Sequence, residues 1–148
     1  MNQPESDSGF ATPVDVETAY YSAFTECDAL AMSKVWAEDG VVCIHPGAMP
    51  NVGRGAVMRS WTHILVNAAR PGLRVETVSR SEGDGLAVHV VKEFITPNAE
   101  GGVMSIVVAT NVYRREESGW HMLSHHASLL GTSPGQGMGP ASDWPTLQ

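Results

Sequence analysis

Two polar residues stand in the middle of strongly apolar, strand-like runs. Val103 to Arg115 and Trp120 to Ser128 flank Glu116-Glu117-Ser118-Gly119, an acidic turn ending in glycine, and together they read as an antiparallel hairpin. Period-2 alternation puts Asn111 on one face with Val107, Ala109 and Tyr113, and His126 on a face with Trp120, Met122 and Ser124. An amide and an imidazole among bulky apolar neighbours describe a pocket lining better than a plain core. The amide donates hydrogen bonds without titrating, and the imidazole exchanges a proton near neutral pH. By the same alternation His125 points to the opposite face. Six histidines raise a second chemistry, metal binding. His121 and His125 share a strand face but lie about 13 Å apart, whereas zinc ligands must each approach to about 2.1 Å. His45 and His126 could converge, yet no carboxylate or thiol partner accompanies them, so no metal is expected. His63 and His89 read as surface or interface residues.

The elements that must position these groups follow from local signals. Residues 1–11 are polar and are expected to be loose. Thr12-Pro13-Val14-Asp15 supplies a Thr cap, a proline at the first helical position and an acid in the first turn, which starts a helix. Val16, Tyr20, Ala23, Phe24 and Cys27 give it an apolar face carrying a phenol. Asp28 caps a second, shorter helix, with Leu30, Met32, Val35 and Trp36 turned inward and Gly40 as its stop. Val41 to His45 is a short strand ended by Pro46-Gly47, followed by a loop through Pro50 and Gly53. Val57, Trp61, Ile64, Leu65 and Ala68 mark a third helix that stops before Pro71-Gly72. Strands over Leu73–Ser81, Leu86–Thr96 and Val103–Arg115, then the one after Gly119, complete a four-strand meander. Helices followed by a meander predict an α+β domain over residues 13–130, with a Gly/Pro-rich tail over 131–148. That tail is no phosphate loop, because no strand leads into it and no helix leaves it, and no cofactor is expected.

A chain of 148 residues that is 43% hydrophobic and 17% charged has the composition of one globular domain. Its formal net charge of −7 and the lack of any basic run argue against nucleic acid and anionic membranes as partners. No segment approaches the roughly 18 apolar residues of a membrane span, and the first residues have no signal-peptide pattern, so a cytoplasmic location is expected. Cys27 and Cys43 fit reduced core thiols.

The order of these words resembles the ketosteroid isomerase-like, SnoaL-like branch of the nuclear transport factor 2-like superfamily. The resemblance is carried by Ala19-Tyr20-Tyr21-Ser22-Ala23-Phe24 before Asp28, by Val35-Trp36-Ala37-Glu38-Asp39-Gly40-Val41-Val42 with His45-Pro46-Gly47, by Gly53-Arg54-Gly55, and by Thr110 to Arg115 through Gly119-Trp120 to His125-His126-Ala127-Ser128. It implies a cone: a strongly curved, mainly antiparallel sheet around the helices, a deep apolar pocket, and a homodimer through the outer sheet face, where Ile106, Val108, Thr110 and Val112 form a stripe. In the steroid isomerases of this superfamily an Asp before a Pro is the base, and a first-helix Tyr and a penultimate-strand Asp donate to the developing oxyanion. By resemblance, His45 stands at the base position, and Tyr20 and Asn111 at the donor positions. Trp36, Trp61, Tyr113 and His126 then line the pocket. Each residue also has a plainer role: core packing for Tyr20, a rim position for His45, a tie between elements for Asn111. Two functions stay open. One is an enzyme moving protons on a small apolar carbonyl or cyclic metabolite by isomerisation, cyclisation or dehydration. The other is a non-catalytic dimeric binding module.

Overall fold

The computed structural model describes residues 9–67 and 69–133, with the side chain of Asn67 left aside. Three helices, α1 (Pro13–Thr25), α2 (Ala29–Val35) and α3 (Arg54–Asn67), pack against six strands, β1 (Val42–Ile44), β2 (Asn51–Val52), β3 (Gly72–Glu82), β4 (Leu86–Thr96), β5 (Met104–Glu116) and β6 (Gly119–Ser133). The strands form one mixed sheet in the order β2-β1-β6-β5-β4-β3, parallel only between β1 and β6. The α+β, cone-like architecture agrees with the reading of the sequence. Among the described residues no helix is long and apolar enough to cross a membrane. Of the expected tail, residues 134–148 lie outside the described residues, as do residues 1–8 at the other end.

Local chemistry sets the helix ends. Thr12 Oγ1 accepts from the Asp15 amide at 3.1 Å and Asp28 Oδ1 from the Ala31 amide at 2.9 Å, each satisfying an otherwise orphaned N–H. Arg54 closes the other end of α2, donating to Ser33 O at 2.7 Å and Trp36 O at 2.8 Å, so the first residue of one helix caps the last carbonyls of another. Gly53, at φ +88°, makes the turn that brings it there. The core gathers Val16 and Tyr20 from α1, Met32, Val35 and Trp36 from α2 onward, Val57, Trp61 and Leu65 from α3, and Val91, Ala109, Tyr113 and Met122 from the sheet.

Outside the site, the structure departs from the sequence reading at five places. Leu30 is 68% exposed rather than inward. Asn51–Val52 pairs with β1 as a strand, where a loop was expected. Gly9 and Phe10 are anchored, the Gly9 amide donating to Ser118 O at 2.7 Å and Phe10 bridging Trp120, because a glycine at 9 lets the backbone pass against Gly119 where a Cβ would lie 2.7 Å from it. The last strand runs on through Gly131, Thr132 and Ser133, which pair with Ile106, Ser105 and Met104. Finally, Ile106 is not part of an open outer stripe: with Phe94 and Met104 it forms a small buried cluster against Leu130, while Val108 and Val112 are half-buried and Thr110 is exposed.

The bulges decide which residues face inward. Between Val112 and Tyr113 the pairing partner jumps from Ser124 to Met122, leaving Leu123 as an extra residue in β6. Trp120 and Met122 face the core ahead of it; His125 and Ala127 face the core beyond it.

Candidate functional site

A cavity of about 100 Å³ opens between α1, α3 and the inner face of the sheet. Its buried floor is Tyr20, Tyr21, Glu93, His125 and Ala127, and its half-open mouth is Phe24, His45, Pro46, Ile64 and Ile95, with Trp61 as a wall. Helical spacing explains the α1 contribution: Glu17, Tyr20, Tyr21 and Phe24 stand at i, i+3, i+4 and i+7 and look onto the sheet as one stripe. Strand spacing explains the rest. Ala87, His89, Val91 and Glu93 alternate along the inner face of β4, all buried.

Of the residues singled out from the sequence, Tyr20, His45 and Trp61 line this cavity. Asn111 is fully buried behind the lining, where it holds Tyr21 and His125. Trp36 and Tyr113 are core residues and do not line it; Trp36 packs edge-on against Tyr20 at 6.3 Å, and Tyr113 against His89 at 4.8 Å. His126 is exposed, and His125 takes the inward place expected for it, because the bulge at Leu123 inverts the alternation. His89 is buried rather than superficial. Residues that sequence reasoning does not single out are Tyr21 and Glu93, and His125 reads there as outward-facing. Glu93 had a readable signal, since it alternates with Val91 and Ile95 on an apolar face.

These groups form one directed hydrogen-bond chain. Tyr21 Oη donates to Glu93 Oε2 at 2.6 Å, and Asn111 Nδ2 donates to Tyr21 Oη at 3.0 Å. Asn111 Oδ1 must then accept, and His125 Nδ1 lies 2.5 Å from it. The imidazole is therefore the Nδ1–H tautomer with a lone pair on Nε2. Burial, with His45 and His126 nearby, pushes His125 down to about 3, so it is neutral at physiological pH. Burial pushes the Glu93 carboxyl up to about 7, against the opposing pull of the Tyr21 hydrogen bond. Because Tyr21 occupies Oε2, a proton taken up by Glu93 belongs on Oε1.

His45 is held from below: its Nε2 lies 2.8 Å from Ser60 Oγ and 3.7 Å from Cys43 Sγ, and its ring stands edge-on to Trp61 at 5.0 Å. Burial lowers its pKa below the ordinary imidazole value. The same effect drives the Cys43 thiol up to about 12, so it stays protonated and unreactive; neither Cys27 nor Cys43 is in a disulfide. Tyr20 and Tyr21 are raised by burial and by the neighbouring Glu93 charge, which keeps both phenols protonated donors. Among the described residues no cluster of three or more His, Cys, Asp or Glu is arranged to hold a metal ion. The chemistry on offer is a carboxyl group that changes charge near neutrality inside an apolar, aromatic cavity.

The sequence profile of the SnoaL-like domain family matches residues 14–132. Among solved structures, a candidate calcium/calmodulin-dependent protein kinase type II association domain from Thiobacillus denitrificans is 40% identical, with a TM-score of 0.77 over 87% of this chain and 100% of that one. A candidate dehydratase of the NTF2-like family from Streptomyces avermitilis is 30% identical, with a TM-score of 0.68 over 78% of this chain and 92% of that one. A ketosteroid isomerase-like protein from Erwinia carotovora atroseptica shares the fold at 19% identity, with a TM-score of 0.65 over 80% and 93% of the two chains. Among curated proteins, the F-box protein SKIP8 of Arabidopsis thaliana is 27% identical over 118 residues. That match takes in 79% of this chain and 49% of the relative, so the chain spans about half the length of the curated relative it matches.

Proposed function

The chain belongs to the SnoaL-like domain family, and from that premise we propose that its cavity moves protons on a small carbonyl-bearing or cyclic molecule, with Glu93 rather than His45 as the base. One observation carries this reading: Glu93 is a carboxyl group buried at the floor of an aromatic cavity and titrating at about 7, where a base both is available and drives the transfer. In the step proposed, Glu93 Oε1 takes the proton from the carbon next to the carbonyl, and the electron pair of the broken C–H bond moves onto the carbonyl oxygen. Tyr20 Oη donates to that oxygen and stabilises its charge. Return of the proton at another carbon isomerises the molecule, and loss of a β-hydroxyl with that proton dehydrates it. Asn111 and His125 act through Tyr21 as positioning residues. His45, with one ring nitrogen tied to Ser60, faces the mouth and orients the substrate. The ligand is small: about 100 Å³ admits a few heavy atoms or the reacting end of a longer molecule.

Deuterium exchange into small ketones, followed by NMR, tests the proposal. Exchange is expected to rise with pH through about 7, the value to which Glu93 is pushed. Glu93→Gln should lower it by about 10²–10⁴-fold. A variant that exchanges like the parent removes Glu93 from the chemistry.

A second reading, an assembly module, is favoured by the 40% identity to a protein described as an association domain. In that reading two copies meet through the outer sheet face around Val108 and Val112, both half-buried. Sedimentation velocity at micromolar concentration is expected to give a dimer, and a monomer would discard it.

A further inference from the structure

The cavity walls contain four aromatic side chains, one carboxyl group and no cation. Tyr20 meets Trp61 at 5.5 Å and 89°, Phe24 meets Trp61 at 5.8 Å and 72°, and Tyr20 meets Tyr21 at 4.8 Å and 79°. Four aromatic rings and a carboxyl group around one small space are components that attract a positive charge. No Lys or Arg is among the residues lining the cavity. We propose that the cavity is a receptor for a small organic ammonium ion, seated between the Glu93 carboxylate and the rings of Tyr20, Phe24 and Trp61.

The groups that face Glu93 all allow it. Tyr20 and Tyr21 from α1 and Tyr113 from β5 stay neutral, as does the Cys43 thiol from β1. His125 from β6 is neutral and offers the lone pair on Nε2 as a second acceptor for an N–H, and His45 is held below its ordinary value by burial. Nothing in the lining therefore competes with a ligand cation for Glu93. An anion meets the opposite situation: a carboxylate across from it, and no guanidinium or ammonium to receive it. The chain's net charge of −7 adds a long-range field of the same sign. A ligand of four or so heavy atoms suits a volume of about 100 Å³. Such an ion occupies the space that a substrate would need, so it also blocks turnover.

This inference rests on the reading of the cavity as a ligand pocket whose Glu93 ionises, and not on the catalytic step. Isopropylammonium, the neutral 2-propanol and the anion isobutyrate are titrated into the full chain, with the imidazole resonances followed by NMR. At pH 8 the ammonium ion should bind at least tenfold more tightly than the alcohol, and isobutyrate should not bind. Its affinity should fall about tenfold per pH unit below the titration of Glu93. Glu93→Gln should erase the preference for the cation, and Trp61→Leu, checked to melt cooperatively, should weaken it several-fold. Equal binding of the alcohol or binding of isobutyrate overturns the inference. If none of the three binds, the pocket reading falls with it. Binding of the cation without turnover of any ketone leaves the inference standing and removes only the catalytic proposal.

Discussion

Helix α1 carries two tyrosines and an acid, Glu17, onto the sheet, and the two buried carboxyl groups at that contact, Glu17 and Glu93, have opposite surroundings. Glu17 is 6% exposed and sits between Arg80 Nη2 at 2.7 Å and His89 Nδ1 at 3.2 Å. Glu93 is 5% exposed and has a phenol, Tyr21, as its partner. The Arg80 guanidinium and the Glu17 carboxylate form a close ion pair, which ties α1 to the β3–β4 edge. A phenol satisfies one oxygen without neutralising the charge, so burial wins and the group is left able to titrate. What separates the two carboxyl groups is the presence of one arginine, and the cavity lies beside the one that lacks it.

Two substitutions of the same kind sharpen the contrast, because they should move stability in opposite directions. Glu93 holds its proton up to about 7 when folded and to 4.5 ordinarily. Folding therefore takes up a proton between those values, stability falls as pH rises through them, and the full cost is present above about 7. Glu93→Gln should remove it, raising stability by about 3 kcal/mol at pH 8 and leaving it nearly unchanged at pH 4. His125 works the other way, since its pKa falls from 6.5 to about 3 and stability is gained as pH rises across that range. In the parent the two slopes oppose each other between 4.5 and 6.5, and the glutamine variant should show the rise uncovered. Urea unfolding at several pH values measures both; a parallel pair of curves would show that Glu93 titrates ordinarily. The smaller effect is expected from Glu17→Gln, which strips His89 and Arg80 of their charged acceptor and should cost about 2 kcal/mol near neutral pH. Its size is held down because the Arg80 side chain is 42% exposed and returns partly to water. A neutral or stabilising Glu17→Gln would erase the distinction between the two carboxyl groups.

The comparison also marks what the sequence alone discloses. Thr12-Pro13-Val14-Asp15 started α1 where the structure starts it, since capping is a matter of four adjacent residues. Asn111 fell on the inner face for an equally local reason, unbroken alternation with Ala109 and Tyr113. Tyr20 and His45 reached the cavity, yet Tyr21 beside Tyr20 was missed, because a helix enclosed by a sheet buries a wider stripe than simple amphipathicity suggests. Glu93 escapes the sequence pattern, and His89 reads as superficial in it, for a different cause. Charged and polar residues in a strand are ordinarily turned to water, and only a partner from α1, distant by 72 residues in each case, makes the inward position tolerable. Such partners are invisible to any pattern read along the chain. His125 was assigned outward because alternation was carried straight through Leu123.

That extra residue bears on how the domain tolerates insertion and loss. Upstream of Leu123 Trp120 and Met122 face the core, and downstream of it His125 and Ala127 do, so the phase of β6 inverts at that residue. A slip of the distal half by a single residue would ordinarily turn every side chain over and empty the site. Here the neighbour of His125 is another histidine, and Ala127 is followed by a serine of nearly the same size. After such a slip His126 would stand beside Asn111, and the cavity would keep an imidazole on its floor. The doubled histidine thus offers the strand an imidazole in either phase.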